Sequence, residues 1–130
     1  MIVVDTNVIA YFFLPGERTA AAERLLRRDR EWAAPLLWRS ELRNILATYV
    51  RRGDLDLVLA QRVASDAERL LRGREYAVQS DAVLAAAAAS GCTAYDCEFA
   101  VLAEELRVPL VTTDKKILKA FPGTAEPLGT

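Results

Sequence analysis

Residues 2–7 are Ile-Val-Val-Asp-Thr-Asn, a short apolar run followed by three polar residues. The β-branched run predicts a buried strand, and Asp, Thr and Asn are residue types that commonly begin a helix. The apolar residues 8–13 continue that predicted helix. The start of the chain therefore indicates a strand that leads directly into a helix, with polar side chains at the junction.

The same alternation of strand and helix repeats along the rest of the chain. Further strands are predicted at residues 32–34, 75–78 and 108–113, and further helices at residues 19–28, 36–52, 55–71, 80–91, 93–106 and 115–121. Ser80 or Asp81 is expected to cap the alanine-rich helix, and Thr93 the next one. Short apolar strands between helices are typical of a parallel sheet covered on both faces. We therefore predict an α/β fold, a three-layer α/β/α sandwich with a short, mainly parallel central sheet, as a single domain over residues 1–130.

The composition excludes several kinds of chemistry. The 130 residues include no His, which removes Ser-His-Asp catalysis, His-ligated zinc and imidazole bases together. The net charge of -1 argues against binding nucleic acid by bulk positive charge. The two cysteines, Cys92 and Cys97, have no other Cys or His to complete a metal site, so we expect reduced thiols in the core. The start carries no signal-peptide pattern and no apolar run is long enough to span a bilayer, so a cytoplasmic protein is expected.

Four acidic residues occupy positions that suggest a shared site. Asp5 and Asp114 each follow a predicted strand, and the carboxyl ends of neighbouring parallel strands meet at one edge of a sheet. Glu41 lies at the border of an apolar helix stripe, and Asp96 lies within about 60° of apolar residues on its helix. A carboxylate on an apolar face is costly unless it is paired or bound to a metal. Oxygen ligands without His or thiolate suit Mg²⁺ or Mn²⁺.

Each acid also has a simpler structural explanation. Asp5, Asp96 and Asp114 could act as helix caps or interact with a helix N-terminus, and Glu41 could pair with an arginine. Glu98 lies about 200° from Asp96 around the same helix and is not assigned to the site.

The acids stand in recognisable motifs along the chain. These are Asp5-Thr6-Asn7, Glu41, Thr93-Ala94-Tyr95-Asp96 and Thr112-Thr113-Asp114. In this order and over essentially the whole length, the chain resembles the PIN domain, and it is similar in length to the toxin half of VapBC type II toxin-antitoxin pairs. The resemblance implies a metal-dependent endoribonuclease that cleaves single-stranded RNA, with a cognate antitoxin as partner and a homodimeric assembly.

The resemblance also implies roles for individual residues. The catalytic and metal-binding quartet would be Asp5, Glu41, Asp96 and Asp114. Supporting roles would fall to Thr6, Asn7, Thr112 and Thr113, and Asn44 is a further supporting candidate one turn after Glu41. The resemblance implies Mg²⁺ or Mn²⁺ as the cofactor.

Three lysines follow Asp114 closely enough to contact a backbone phosphate of RNA: Lys115, Lys116 and Lys119. They could equally be solvated charges near the C-terminal end of a helix. Two other functions remain open at this point. A phosphatase of the haloacid-dehalogenase kind also begins with a strand ending in Asp, but it needs a second Asp where this chain has Asn7. A non-catalytic module that binds RNA or protein is the other alternative.

Overall fold

A computed structural model of the chain describes residues 1–129. The strands are β1 (Ile2–Val4), β2 (Trp32–Pro35), β3 (Glu75–Tyr76), β4 (Leu110–Thr112) and β5 (Ala125–Pro127). The helices are α1 (Thr6–Phe13), α2 (Thr19–Arg28), α3 (Leu37–Arg51), α4 (Leu57–Leu70), α5 (Ser80–Ser90), α6 (Ala94–Leu106) and α7 (Lys115–Ala120).

The five strands form one sheet in the order β3-β2-β1-β4-β5, and every pair of neighbours is parallel. The predicted α/β fold with helices flanking a short parallel sheet is confirmed. The chain runs outward from β1 to β3 and then returns to the other side of β1 for β4. Such a reversal of strand order leaves a crevice at the carboxyl ends of β1 and β4, where ligands bind in open α/β sheets.

The sequence did not reveal β5. This strand has three residues, ends at Pro127 and lies at the edge of the sheet beside β4. Proline is tolerated at a sheet edge because its missing N–H does not interrupt the pairing of a central strand. A segment this short carries no period of alternating residues that could identify it as a strand.

The helix ends follow the predicted residues in most places. Thr93 caps α6 by accepting a hydrogen bond from the Asp96 amide, and Gly91 ends α5 in the left-handed conformation that glycine adopts without steric cost. The prediction for the start of α5 is wrong. Gln79 holds the extended N-cap position and Ser80 is already helical, while the Asp81 carboxylate accepts from the Ala82 amide.

The core lies between the sheet and the helices, and its largest buried side chains are Trp32, Trp38 and Phe99. Helix α6 packs against β1, β2 and β4, whereas α1 contacts α2, α3 and α4. Cys92 and Cys97 are buried and free, as expected for core thiols. Within residues 1–129, no helix combines the length and the hydropathy that crossing a membrane requires.

Candidate active site

Asp5 and Asp114 meet at the carboxyl ends of β1 and β4. The Asp5 amide donates to the Val111 carbonyl at 3.1 Å, which continues the pairing of the two strands past β1. The Thr112 hydroxyl donates to Asp5 Oδ2 at 2.7 Å and accepts from the Asp114 amide at 3.0 Å. Because Thr112 is fully buried, this one hydroxyl fixes the Asp5 carboxylate relative to the backbone that carries Asp114.

A second threonine connects Asp5 to the helical layer. Thr6 begins α1, and its hydroxyl donates to Glu41 Oε1 on α3 at 2.7 Å. Glu41 is half-buried, as its place at the border of the apolar stripe predicted. No salt bridge reaches Glu41 within residues 1–129, so the alternative of a structural pair with arginine is not realised there.

The two aspartates that follow β1 and β4 differ in whether their side chains cap a helix. The Asp114 carboxylate caps α7, accepting from the amides of Lys116 at 2.8 Å and Ile117 at 3.2 Å. Asp5 occupies the N-cap position of α1 but makes no side-chain cap bond, so the expectation that it caps α1 with its carboxylate is wrong. Its backbone carbonyl accepts from Val8 and Ile9 instead, which leaves the carboxylate for the Thr112 hydroxyl.

The carboxylates act on one another electrostatically. Burial raises the pKa of Asp5, and the charges of Asp96 and Asp114 raise it further, against the opposing Thr112 hydrogen bond. Burial likewise raises the pKa of Glu41, with Asp5 and Asp96 adding to the shift. The pKa of Asp96 is raised by burial and then by Asp114. Like charges disfavour ionisation when they are close, so the structure brings the predicted quartet into one electrostatic cluster.

Glu98 also belongs to this neighbourhood, although the helical wheel left it out. It is half-buried, burial raises its pKa, and its charge raises the pKa of Glu41. The wheel compared Glu98 only with Asp96 on the same helix. It could not show that Glu41, on α3, lies close enough to Glu98 to be affected by its charge.

The remaining predicted residues have different placements. The Thr113 hydroxyl lies 3.3 Å from the Tyr11 hydroxyl and so contacts α1. Asn7 and Asn44 are exposed. Lys115, Lys116 and Lys119 are exposed on α7. The Lys116 charge lowers the pKa of Asp96 against the larger effect of burial, so this ammonium lies close to the acidic cluster.

The donor set fits a hard divalent cation. Glu41 Oε1 and Asp5 Oδ2 each accept a hydrogen bond from a threonine hydroxyl. Oxygen-only donors favour Mg²⁺ or Mn²⁺. Among residues 1–129, no three acidic or thiol side chains are close enough as they stand to share one ion. Binding would therefore require the carboxylates, which repel one another without a cation, to close on it.

Comparison with known proteins places this architecture among nucleases. The family model described as "PIN domain" matches residues 2–122. The chain is 30% identical to a protein named Ribonuclease VapC3 from Pyrobaculum aerophilum, over 97% of this chain and 98% of the relative. The solved structure of PAE2754 from the same organism has a TM-score of 0.78 at 23% identity, covering 98% of this chain and 83% of that one. A toxin-antitoxin complex from Klebsiella pneumoniae contains a chain with a TM-score of 0.69 at 17% identity, covering 97% of each chain. The two structural neighbours establish the fold alone.

Proposed function

This chain belongs to the PIN domain family, and from that premise we propose that it is a metal-dependent endoribonuclease that cleaves single-stranded RNA. The observation that carries the proposal is the acidic cluster. The pKa values of Asp5, Glu41 and Asp96 are raised, Asp5 and Asp96 each interact electrostatically with Asp114, and Glu41 interacts with Asp5 and Asp96. The similarity to a relative named as a ribonuclease supports the same activity. We further propose that residues 1–130 act as one domain and that the protein works in the cytoplasm.

The chain's own residues prepare the site in three ways. Thr112 and Thr6 orient the Asp5 and Glu41 carboxylates through their hydroxyl hydrogen bonds. The quartet Asp5, Glu41, Asp96 and Asp114 would hold Mg²⁺ or Mn²⁺. When bound, such an ion supplies an oriented, acidified water and stabilises charge on the attacking and leaving oxygens of a phosphodiester. Lys116, close to Asp96, provides positive charge at the same edge of the sheet.

The substrate must approach a negatively charged site. RNA carries a charge on every phosphate, and four carboxylates repel it unless cations neutralise them. Lys115, Lys116 and Lys119 are therefore proposed as phosphate contacts, with Lys116 best placed of the three. Asn7, Thr113 and Asn44 are proposed as supporting residues around the quartet.

We also propose a cognate antitoxin and a homodimer as the assembly. The complex from Klebsiella pneumoniae, described as toxin-antitoxin, supports the first partner because its chain shares this fold. Six large apolar side chains are exposed and could contribute to such contacts: Leu36, Leu57, Val58, Leu59, Leu84 and Tyr95. A phosphatase is disfavoured by family membership and by Asn7, which stands where that class needs Asp.

The direct experiment is RNA cleavage by the purified chain in Mg²⁺, in Mn²⁺ and in EDTA. We expect cleavage of single-stranded RNA that requires the metal and is lost in Asp5→Asn. Asp29→Asn is the matched control, because Asp29 pairs with the N-terminal amine at 3.0 Å, before β1. We expect this variant to cleave RNA as the wild type does. Activity that survives EDTA and Asp5→Asn would overturn the proposal. A wild-type chain that binds RNA without cleaving it would favour the non-catalytic alternative.

A further inference from the structure

A cavity of about 430 Å³ lies beside the acidic cluster, between α1, residues 14–18 and α3. Its wall includes an amide, two phenol rings and a guanidinium: Asn7, Tyr11, Tyr49 and Arg18. Asn7 is also proposed above to support the acidic cluster, but no role is yet assigned to Tyr11, Tyr49 or Arg18.

The guanidinium of Arg18 has a fixed place at the cavity. It lies over the Tyr11 ring, 5.4 Å from the ring centroid, and its Nη1 is 3.5 Å from the Tyr11 hydroxyl. A guanidinium over an aromatic face is attracted by the ring quadrupole. Arg18 is thus held by the ring, although its side chain is exposed.

The loop that carries Arg18 is tied down by Thr19. The Thr19 hydroxyl lies 2.8 Å from the Tyr11 carbonyl and 3.1 Å from the Leu14 carbonyl, and it accepts from the Gly16 amide at 3.0 Å. These contacts close residues 14–18 against the end of α1. The backbone that carries Arg18 is therefore held against the end of α1.

Two connections join the cavity to the acidic cluster. The Tyr11 hydroxyl lies 3.3 Å from that of Thr113, the residue before Asp114. Asn7 follows Thr6, whose hydroxyl donates to Glu41. Asn7 and Tyr11 are four residues apart on α1, about 40° around the helix, so they share the face that lines the cavity. A strand of RNA held at the carboxylates would reach this cavity with its neighbouring nucleotide.

The chemistry of the wall matches a nucleotide. Arginine binds phosphate through its planar set of N–H donors, and aromatic side chains stack on bases of any sequence. Glu17 also lines the cavity, so the cavity does not carry a general excess of positive charge. What distinguishes the cavity is one fixed guanidinium among phenol rings beside a site that would otherwise repel a polyanion.

We propose that this cavity binds the nucleotide adjacent to the scissile phosphodiester, with Arg18 on a backbone phosphate and the ring of Tyr49 available to the base. The inference rests on the proposed ribonuclease function and adds a binding subsite to it. A segment of a partner protein is the competing occupant, and the fixed guanidinium over a ring favours the nucleotide.

The test compares Arg18→Ala with Arg72→Ala. Arg72 is exposed in the turn that leads into β3, at the edge of the sheet opposite the acidic cluster, so the two variants change the net charge equally. We expect Arg18→Ala to raise KM for single-stranded RNA about tenfold while kcat stays within about twofold, since removed ground-state binding appears in KM. The salt dependence of RNA affinity should become shallower by about 0.7 in log–log slope, the value for one lost phosphate contact on a single strand. Arg18→Lys should recover part of the affinity.

The outcomes separate this inference from the ribonuclease proposal. Equal kinetics in Arg18→Ala and Arg72→Ala would overturn the subsite and leave the nuclease intact. Unchanged RNA kinetics with weaker binding of a co-expressed antitoxin would assign the cavity to that protein and also overturn it. If the wild type cleaves no RNA, the nuclease proposal fails, and fluorescence anisotropy of labelled single-stranded RNA in Mg²⁺ still decides the subsite. Weaker binding in Arg18→Ala alone would support it, and equal or absent binding would overturn it.

Discussion

Two glutamates, Glu41 on α3 and Glu75 on β3, have opposite electrostatic surroundings. Glu75 accepts hydrogen bonds from Arg39 Nε and Nη2 at 2.6 and 2.8 Å and from Trp38 Nε1 at 2.7 Å. The Arg39 hydrogen bonds lower the pKa of Glu75. Glu41 has one threonine hydroxyl and three acidic neighbours, and its pKa is raised, mainly by burial. Arg39 neutralises the Glu75 carboxylate, whereas we propose that a bound metal cation neutralises Glu41.

We propose that this difference separates a structural acid from a functional one. A buried charge without a partner is costly, so a protein that retains a cluster of them sacrifices stability for what the cluster binds. Glu75 shows that the same fold can pair an acid with arginine where no ligand is needed. We therefore propose that the activity belongs to Asp5, Glu41, Asp96 and Asp114, none of which forms a salt bridge within residues 1–129.

The largest expected effect comes from exchanging the two glutamates for glutamine. Glu41→Gln should lower RNA cleavage by at least about 100-fold, the scale of losing one charge-stabilising group in an active site. It should leave the thermal stability of the metal-free protein unchanged or raise it, because it removes one of the mutually repelling charges. Initial cleavage rates and melting curves measure the two effects.

Glu75→Gln should behave in the reverse way. Cleavage should stay within a few-fold of the wild type, while the free energy of unfolding falls by about 1–3 kcal/mol because Arg39 loses a charged partner. Denaturant unfolding provides the measurement. If both variants lose activity equally while folded, the distinction between the two glutamates is wrong.

A smaller effect is expected from Thr112→Val, which removes the hydroxyl that joins Asp5 to the Asp114 backbone. Valine fills a similar volume, but Asp5 Oδ2 and the Asp114 amide both lose their partner. We expect a loss of about 10-fold or more in metal affinity, as is typical when a group that orients a ligand is removed. Thr113→Val is the matched control and should cost less, because that hydroxyl contacts Tyr11 and not a carboxylate. Mn²⁺ titrations would measure the metal affinities of both variants. Equal affinities would contradict the proposal that Thr112 orients Asp5.

The smallest effect should be the pH dependence of stability without metal. The folded pKa values of Asp5, Asp96 and Glu41 lie above their ordinary values of 3.8, 3.8 and 4.5. The folded protein then binds these protons more tightly than the unfolded chain. Their stabilising contribution is complete below about pH 4 and is lost as the pH rises through the raised values.

The paired acid has the opposite sign. The folded pKa of Glu75 lies below 4.5, so its contribution is present above that value and is lost as the pH falls. Melting temperatures in EDTA between pH 4 and 8 should therefore decline with rising pH in the wild type and decline less in Glu41→Gln. Added Mn²⁺ should reverse the decline, because a ligand of the folded state stabilises it. A melting temperature that changes with neither pH nor Mn²⁺ would count against the proposed metal-binding role of the acidic cluster.

Local sequence patterns were sufficient for the fold class and singled out the four acids that are proposed as the site. The strand ending in Asp5 and the strand ending in Asp114 were visible as apolar runs, and the helix periods placed Glu41 at the border of an apolar stripe and Asp96 on an inward face. That the two aspartates meet depended on β1 and β4 being neighbours, which the structure shows.

Contacts between distant parts of the chain were not visible in the sequence. Glu98 approaches Glu41 from another helix, and Arg18 meets Tyr11 through the closure of a loop. A helical wheel describes one helix at a time, so neither relation could be read from it. For the same reason the sequence could not show that Thr112 contacts Asp5 whereas Thr113 contacts Tyr11. These contacts depend on the pairing of β1 with β4.

We propose that Asp5, Glu41, Asp96 and Asp114 converge on one divalent metal site. A crystal structure of the protein soaked with Mn²⁺, read by the anomalous scattering of manganese, tests this placement. We expect a peak at the carboxyl ends of β1 and β4, ligated by oxygens of these four side chains. No peak there, or a peak held by other residues, would contradict it.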